Sequence, residues 1–186
     1  MIDSICGFFR LDASLAANSD DKNSTPKGNM RSKPTILYVE DDPNDAMVFE
    51  RALKKAGLAL NLQMAPDGMF AVEYLTGEEQ YADRNQYPLP QIILSDMKMF
   101  RMGGIELLQW VRANPKFCKL PVVLFSTSNE EMDVSMAAAA GATAYFRKTY
   151  QCLDVIEFLR KWLEEGMGKG KQTEGKAERE RVRSVA

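Results

Sequence analysis

The chain has 186 residues, 45% of them hydrophobic and 27% charged, with a formal net charge of −2. That is enough for one ordinary domain of about 100–150 residues with extra material, and too short for two full ones. Histidine is absent, which removes histidine bases, nucleophiles and metal ligands, and with them Ser-His-Asp and Cys-His catalysis and most zinc sites. The three cysteines, Cys6, Cys118 and Cys152, are odd in number and far apart, so a disulfide framework and a metal-binding cluster are both excluded and a reducing cytoplasm is the expected location. No apolar run approaches the roughly 18 residues that cross a bilayer. The first ten residues carry Asp3 and lack a basic start and a long apolar stretch, so neither a secretory signal nor membrane insertion is expected.

Residues 1–33 are rich in Ser, Asn, Asp and Lys without a sustained period and read as a flexible N-terminal extension. Ile5, Phe8, Phe9, Leu11 and Leu15 leave room for one short helix. Met30 leaves two readings open, a start of translation near it or a tail that docks a partner. From residue 34 the pattern becomes strand then helix, repeated. Residues 36–39, 92–94 and 122–125 are continuous apolar runs, as expected of parallel strands covered on both faces. Weaker strands are expected at 60–65 and 143–147.

The helices between them have recognisable ends. Asp42-Pro43 is a cap followed by proline at the first helical position, and Ala46, Phe49, Leu53 and Ala56 make a stripe that stops at Gly57. A second helix opens at Asp67 or Gly68 and closes near Gly77. A third occupies 104–113. Asn129 caps a fourth that runs to Gly141, and Val155, Ile156, Leu159 and Leu163 give a fifth its buried face. Five such units imply an α/β fold, a doubly wound five-stranded parallel sheet with five helices and right-handed crossovers.

Residues 166–186 hold six basic and three acidic side chains and almost nothing that builds a core. A charged flexible C-terminal tail is favoured over a nucleic-acid-binding arm, because the signs are mixed and no aromatics interleave them. The domain between the tails, residues 34–165, has 19 acidic and 13 basic residues, a net charge of −6. This argues against direct binding of nucleic acid and suits a cation site.

Ligands of such sheets bind beyond the carboxyl ends of the strands, near the switch in strand order. The first strand ends in Glu40-Asp41-Asp42, the third in Asp96, the fourth in Ser126-Thr127 and the fifth at Lys148. Taken singly, each is an ordinary cap or solvated charge; their common placement on one edge is what signals a site. Packed carboxylates repel one another unless a cation sits among them, and hard oxygen ligands suit Mg2+. A carboxylate beside that cation can act as nucleophile toward a phosphoryl group, whose spreading charge a lysine and a hydroxyl then stabilise. No GxxxxGK[ST] loop is present, so a nucleotide is not the expected donor.

The segments ILYVEDDPND, IILSDMKMFRMGG, PVVLFSTS and GATAYFRK stand in the order and spacing of the receiver domain of two-component response regulators, which this chain resembles over about 130 residues. A VEDxPxD start, a YADxxxxPxP approach to the third strand and the end of the fourth strand are most similar to the stand-alone receivers that partner bacterial phytochrome-type sensor kinases. The resemblance implies the strand order 2-1-3-4-5. It also implies Asp96 as phosphoacceptor, Asp41 as a direct Mg2+ ligand, Glu40 acting mainly through water, and the backbone carbonyl of Lys98 as a further metal ligand. Ser126, with Thr127 beside it, would bind the phosphoryl group and Lys148 would pair with it, while Tyr145 would be the aromatic whose rotamer reports the switch. Lys98 and Ser128 would tune the lifetime of the phosphate.

The partner implied is a sensor histidine kinase or a phosphotransfer protein, since a chain without histidine cannot supply a phosphohistidine itself. The only catalysis implied is the chain's own phosphorylation and autodephosphorylation. Output is expected by protein–protein interaction, including homodimerisation, on the face of the fourth helix, fifth strand and fifth helix. Met132, Met136, Phe158 and Trp162 are its candidate exposed contacts; the downstream target is not identified by the sequence.

Three positions depart from the family pattern. Thr149 follows the lysine where proline is usual, for which a trans bond is expected. Phe100 and Gly103 replace a proline and an aspartate in the loop after Asp96, which predicts a loop of different shape. An aspartate-nucleophile phosphatase is disfavoured because its nucleophile follows the first strand in a DxD arrangement. A degenerate receiver that only binds protein is disfavoured by the presence of Glu40, Asp41, Asp96, Ser126 and Lys148.

Overall fold

A computed structural model describes residues 33–127 and 130–166. The N-terminal extension, the C-terminal tail and the residues assigned there, Cys6 and Met30 among them, lie outside the described residues, as do Ser128 and Asn129. Within them the elements alternate: β1 (Thr35–Val39), α1 (Pro43–Ala56), β2 (Asn61–Ala65), α2 (Gly68–Thr76), β3 (Ile92–Ser95), α3 (Gly104–Ala113), β4 (Val122–Ser126), α4 (Glu131–Ala139), β5 (Ala144–Arg147) and α5 (Leu153–Gly166). All pairings are parallel, and the sheet order is β2-β1-β3-β4-β5, the order expected.

The continuous apolar runs are strands buried on both sides. Side chains alternate across a strand, so Ile36 and Tyr38 join one apolar layer with Phe49 and Leu53 of α1 and Val155, Ile156 and Leu159 of α5. Leu37 and Val39 join the other, with Tyr74 and Leu75 of α2, Leu107, Leu108 and Val111 of α3 and Ala137 of α4. Each fully buried Leu, Ile or Phe contributes about 1.5–3 kcal/mol by leaving water. The weaker strands β2 and β5 lie at the sheet margins, and most of their residues are only partly covered. Among the described residues no helix is long and apolar enough to cross a membrane.

Helix ends follow the sequence signals with one exception. Asp42 Oδ1 accepts from the N–H of Asn44 at 2.8 Å, and Gly57 closes α1 at φ 66°. Asp67 caps α2 through the N–H groups of Met69 and Phe70 at 2.8 and 3.1 Å. At α4 the cap position is held by Glu130, which makes no side-chain capping bond, instead of the expected Asn129. The helix starts one residue later than its sequence signal.

The α4–β5–α5 face also differs from expectation. Met132 and Met136 are exposed, as an outward face requires. Phe158 and Trp162 instead pack against the α1–α5 apolar layer, Phe158 with its ring centroid 5.2 Å from that of Phe146. Their spacing on α5 places them beside Val155 and Leu159, so the hydrophobic effect draws them onto the sheet.

Candidate functional site

Backbone hydrogen bonds assemble the carboxyl edge of the sheet. The N–H of Asp96 donates to the carbonyl of Val39 at 2.9 Å, that of Glu40 to Ala65 at 3.0 Å, and that of Lys148 to Ser126 at 2.7 Å. These bonds carry the strand ladders past their ends and set Asp96 beside Glu40 and Lys148 beside Ser126. The loop after Asp96 folds back tightly. A Cβ on Gly104 would collide with the carbonyl oxygen of Asp96 and approach Leu124 Cδ2 to 3.0 Å, so only glycine lets α3 start so close to this aspartate.

Glu40, Asp41 and Asp96 bring one carboxylate oxygen each within 4.8 Å of one another. Glu40 and Asp96 are buried and Asp41 is exposed. Into this cluster comes the ammonium of Lys148, 2.7 Å from Glu40 Oε2, 2.9 Å from Asp45 Oδ2 and 3.4 Å from Asp96 Oδ1. Three carboxylates thus meet one lysine, with the fourth, Asp41, beside them, and the surplus negative charge fits a divalent cation bound by hard oxygen donors. Glu40, Asp41 and Asp96 are the residues placed to hold it.

The electrostatics follow from burial and surplus charge. Burial raises the Asp96 carboxyl above the usual range, although Lys148 and the N–H of Met97, 2.8 Å from Oδ1, oppose this. Burial raises Glu40 as well, against the hydrogen bonds from Lys148 and Tyr38. For Lys148, burial alone would lower the pKa, but the bonds to Glu40 and Asp45 and the nearby Asp96 outweigh it and raise the value. The lysine is held as a cation.

Of the residues named from the sequence, Glu40, Asp41, Asp96 and Lys148 meet here, with Ser126 buried at the end of β4. Thr127 is exposed, and Tyr145 is half-buried against the α2–α4 layer. The Lys98 side chain faces α4, where its Nζ lies 3.7 Å from Asp133 Oδ2. Asp133 is buried, and that oxygen accepts no hydrogen bond among the described residues. The Lys148–Thr149 bond is trans.

Two participants, Tyr38 and Asp45, and one residue of the neighbouring loop, Arg101, are not singled out by the sequence reading. Tyr38 donates its hydroxyl to Glu40 Oε2 at 2.6 Å; a signal existed, because residues two apart on a strand share a face. Asp45 carries an acid in the first turn of α1, within the VEDxPxD segment. Arg101, at φ 72°, pairs with Asp67 and lies over the ring of Phe70 at 5.0 Å. The altered loop does have its own ties: the N–H of Phe100, a donor that proline would lack, reaches Asp41 Oδ2 at 3.1 Å, and Glu106 accepts from the N–H of Gly103 at 2.8 Å.

Comparison with known proteins agrees with this geometry. The response regulator receiver domain family matches residues 36–160. Response regulator Rcp1 of Synechocystis sp. is 28% identical over 148 residues, covering 77% of this chain and 94% of that protein. The structure of the phosphorylated cyanobacterial phytochrome response regulator RcpA superposes with a TM-score of 0.62 at 25% identity, over 75% of this chain and 97% of that one. The Mn(2+)-bound form of Rcp1 does so with a TM-score of 0.60 at 25% identity, over 75% and 99%. Phosphoryl acceptance and Mg2+ dependence are general in this family. By profile, sheet order and relatives, the chain belongs to the response regulator receiver domain family of two-component signalling.

Proposed function

We propose that this receiver accepts a phosphoryl group on Asp96 from the phosphohistidine of a partner sensor kinase or phosphotransfer protein. One observation carries the reading: Glu40, Asp41 and Asp96 lie within 4.8 Å of one another with the Lys148 ammonium 3.4 Å from Asp96. Asp96 Oδ1 is engaged by Met97 N–H and faces Lys148, so Oδ2 is the attacking oxygen. Its electron pair forms the O–P bond as the N–P bond breaks, and the bonding pair returns to the donor imidazole. Lys148 and Ser126 offset the charge on the transferred group. Glu40, Asp41, Asp96 and the carbonyl of Lys98 would hold Mg2+, Glu40 mainly through water, and bound there the ion would supply Lewis-acid neutralisation of the phosphoryl oxygens.

Phosphorylation then biases a conformational equilibrium through Ser126, Thr127 and Tyr145. Output passes by protein contact, including homodimerisation, on the α4–β5–α5 face, where Met132 and Met136 are exposed. The phytochrome response regulators among its relatives support a phytochrome-type kinase as partner, and the odd, dispersed cysteines support a cytoplasmic setting. Lys98 is proposed to tune phosphate lifetime, together with Ser128; equal aspartyl-phosphate lifetimes in the wild type and Lys98→Ala would remove Lys98 from that role.

The test is exposure to acetyl phosphate or beryllofluoride with Mg2+, followed by mass spectrometry of the wild type and Asp96→Asn. An adduct on the wild type that the variant lacks is the expected result. No Asp96-dependent adduct would favour a module that only binds protein.

A further inference from the structure

Lys148 has a choice of partners that its burial makes consequential. Its side chain is only 9% exposed, so its ammonium cannot exchange a lost carboxylate for bulk water. The two closest carboxylates are Glu40 at 2.7 Å and Asp45 at 2.9 Å, with Asp96 farther off at 3.4 Å. Glu40 and Asp96 also belong to the cluster that can hold a metal ion. Asp45 stands outside that cluster, on the first turn of α1, and its side chain is 40% exposed.

A cation among Glu40, Asp41 and Asp96 competes with Lys148 for two of its three partners. Like charges in so confined a space repel, and an ammonium bound only to those two carboxylates would oppose metal binding directly. We propose that Asp45 is a positioning residue that anchors Lys148 on α1, so that the lysine stays in the pocket without occupying the metal's ligands. This rests on the metal-dependent phosphoacceptor reading above and deepens it. Asp45 lies outside the acidic cluster and acts through Lys148.

The experiment is a double-mutant cycle on Mg2+ affinity, read by isothermal titration calorimetry of the full chain. Asp45→Asn should weaken Mg2+ binding about fivefold when Lys148 is present, and by less than about twofold in a Lys148→Met background, a coupling of the size found between contacting residues. Circular dichroism checks each fold, and Asp45→Ser replaces the asparagine variant if that fails to fold. An equal loss in both backgrounds would show a plain through-space charge effect and overturn the proposal, as would no loss in either. If the wild type shows no saturable Mg2+ binding, the metal reading fails first and the anchor with it. Failure of the anchor alone leaves wild-type binding intact.

Discussion

Two cations sit at opposite edges of this sheet, and their partners differ in kind. Near the amino edge, Arg84 donates to the carbonyls of Tyr74 at 2.7 Å, Leu75 at 2.9 Å and Tyr87 at 3.2 Å. It closes the end of α2 and holds the irregular connection before β3, beside a cluster of three tyrosines in which burial pushes the Tyr74 hydroxyl up to about 12. At the carboxyl edge, Lys148 meets three carboxylates. Carbonyl dipoles are neutral, fixed by the backbone and satisfied by one guanidinium. Carboxylates in excess over their cation remain able to bind another. The first arrangement is architecture and the second is a site, although both use a partly or largely buried cation.

The largest effect expected from breaking this contrast is Lys148→Met. It leaves the buried Glu40 and Asp96 without their cation, and metal-free stability should fall by about 3 kcal/mol in urea denaturation. Saturating Mg2+ should recover part of that loss, because a second cation can take the lysine's electrostatic place. Arg84→Leu should cost about 2 kcal/mol by stranding carbonyls at the end of α2. Here Mg2+ should recover nothing beyond its effect on the wild type, since the Arg84 partners carry no net charge.

Next comes Asp96→Asn, which should stabilise the metal-free protein at neutral pH. A carboxyl whose pKa is raised by folding takes up a proton on folding, so its contribution is fully present below the ordinary carboxylate range and is lost as pH rises through the raised value. Burial raises Asp96 in this way, and removing its charge should lift Tm by a few degrees, the effect of about 1 kcal/mol in a domain of this size. The gain should shrink as pH falls toward the carboxylate range, which thermal melts across pH would show.

The smallest effect concerns the loop after Asp96. Phe100→Pro removes the N–H that reaches Asp41 and should weaken Mg2+ binding about twofold, the scale of one exposed hydrogen bond. Calorimetry of Phe100→Pro beside Phe100→Ala separates loss of the amide from loss of the ring.

Much of the fold is legible in local sequence because burial on both faces writes itself as continuous apolar runs. Residues 36–39, 92–94 and 122–125 read directly as strands, and Asp42, Gly57 and Gly77 mark helix ends through backbone conformations they favour. The start of α4 is less legible, since Glu130 occupies the cap without the side-chain bond that would announce it. Phe158 and Trp162 are partly buried against the sheet layer instead of fully outward, because helical spacing gives a stripe but not its neighbour.

The acids and the lysine of the pocket were likewise legible, as strand-end residues of a recognisable pattern. The apolar period, the caps, the absence of histidine and the inventory of charge at the carboxyl edge are written in the amino-acid order. These depend on residues near one another in the chain. How that charge is shared is set by folding: Lys148 lies against Asp45, 103 positions away, Asp67 holds Arg101, and Lys98 faces Asp133. Coulombic partnership depends on distances of a few ångströms, and strand crossover, not sequence separation, sets those distances.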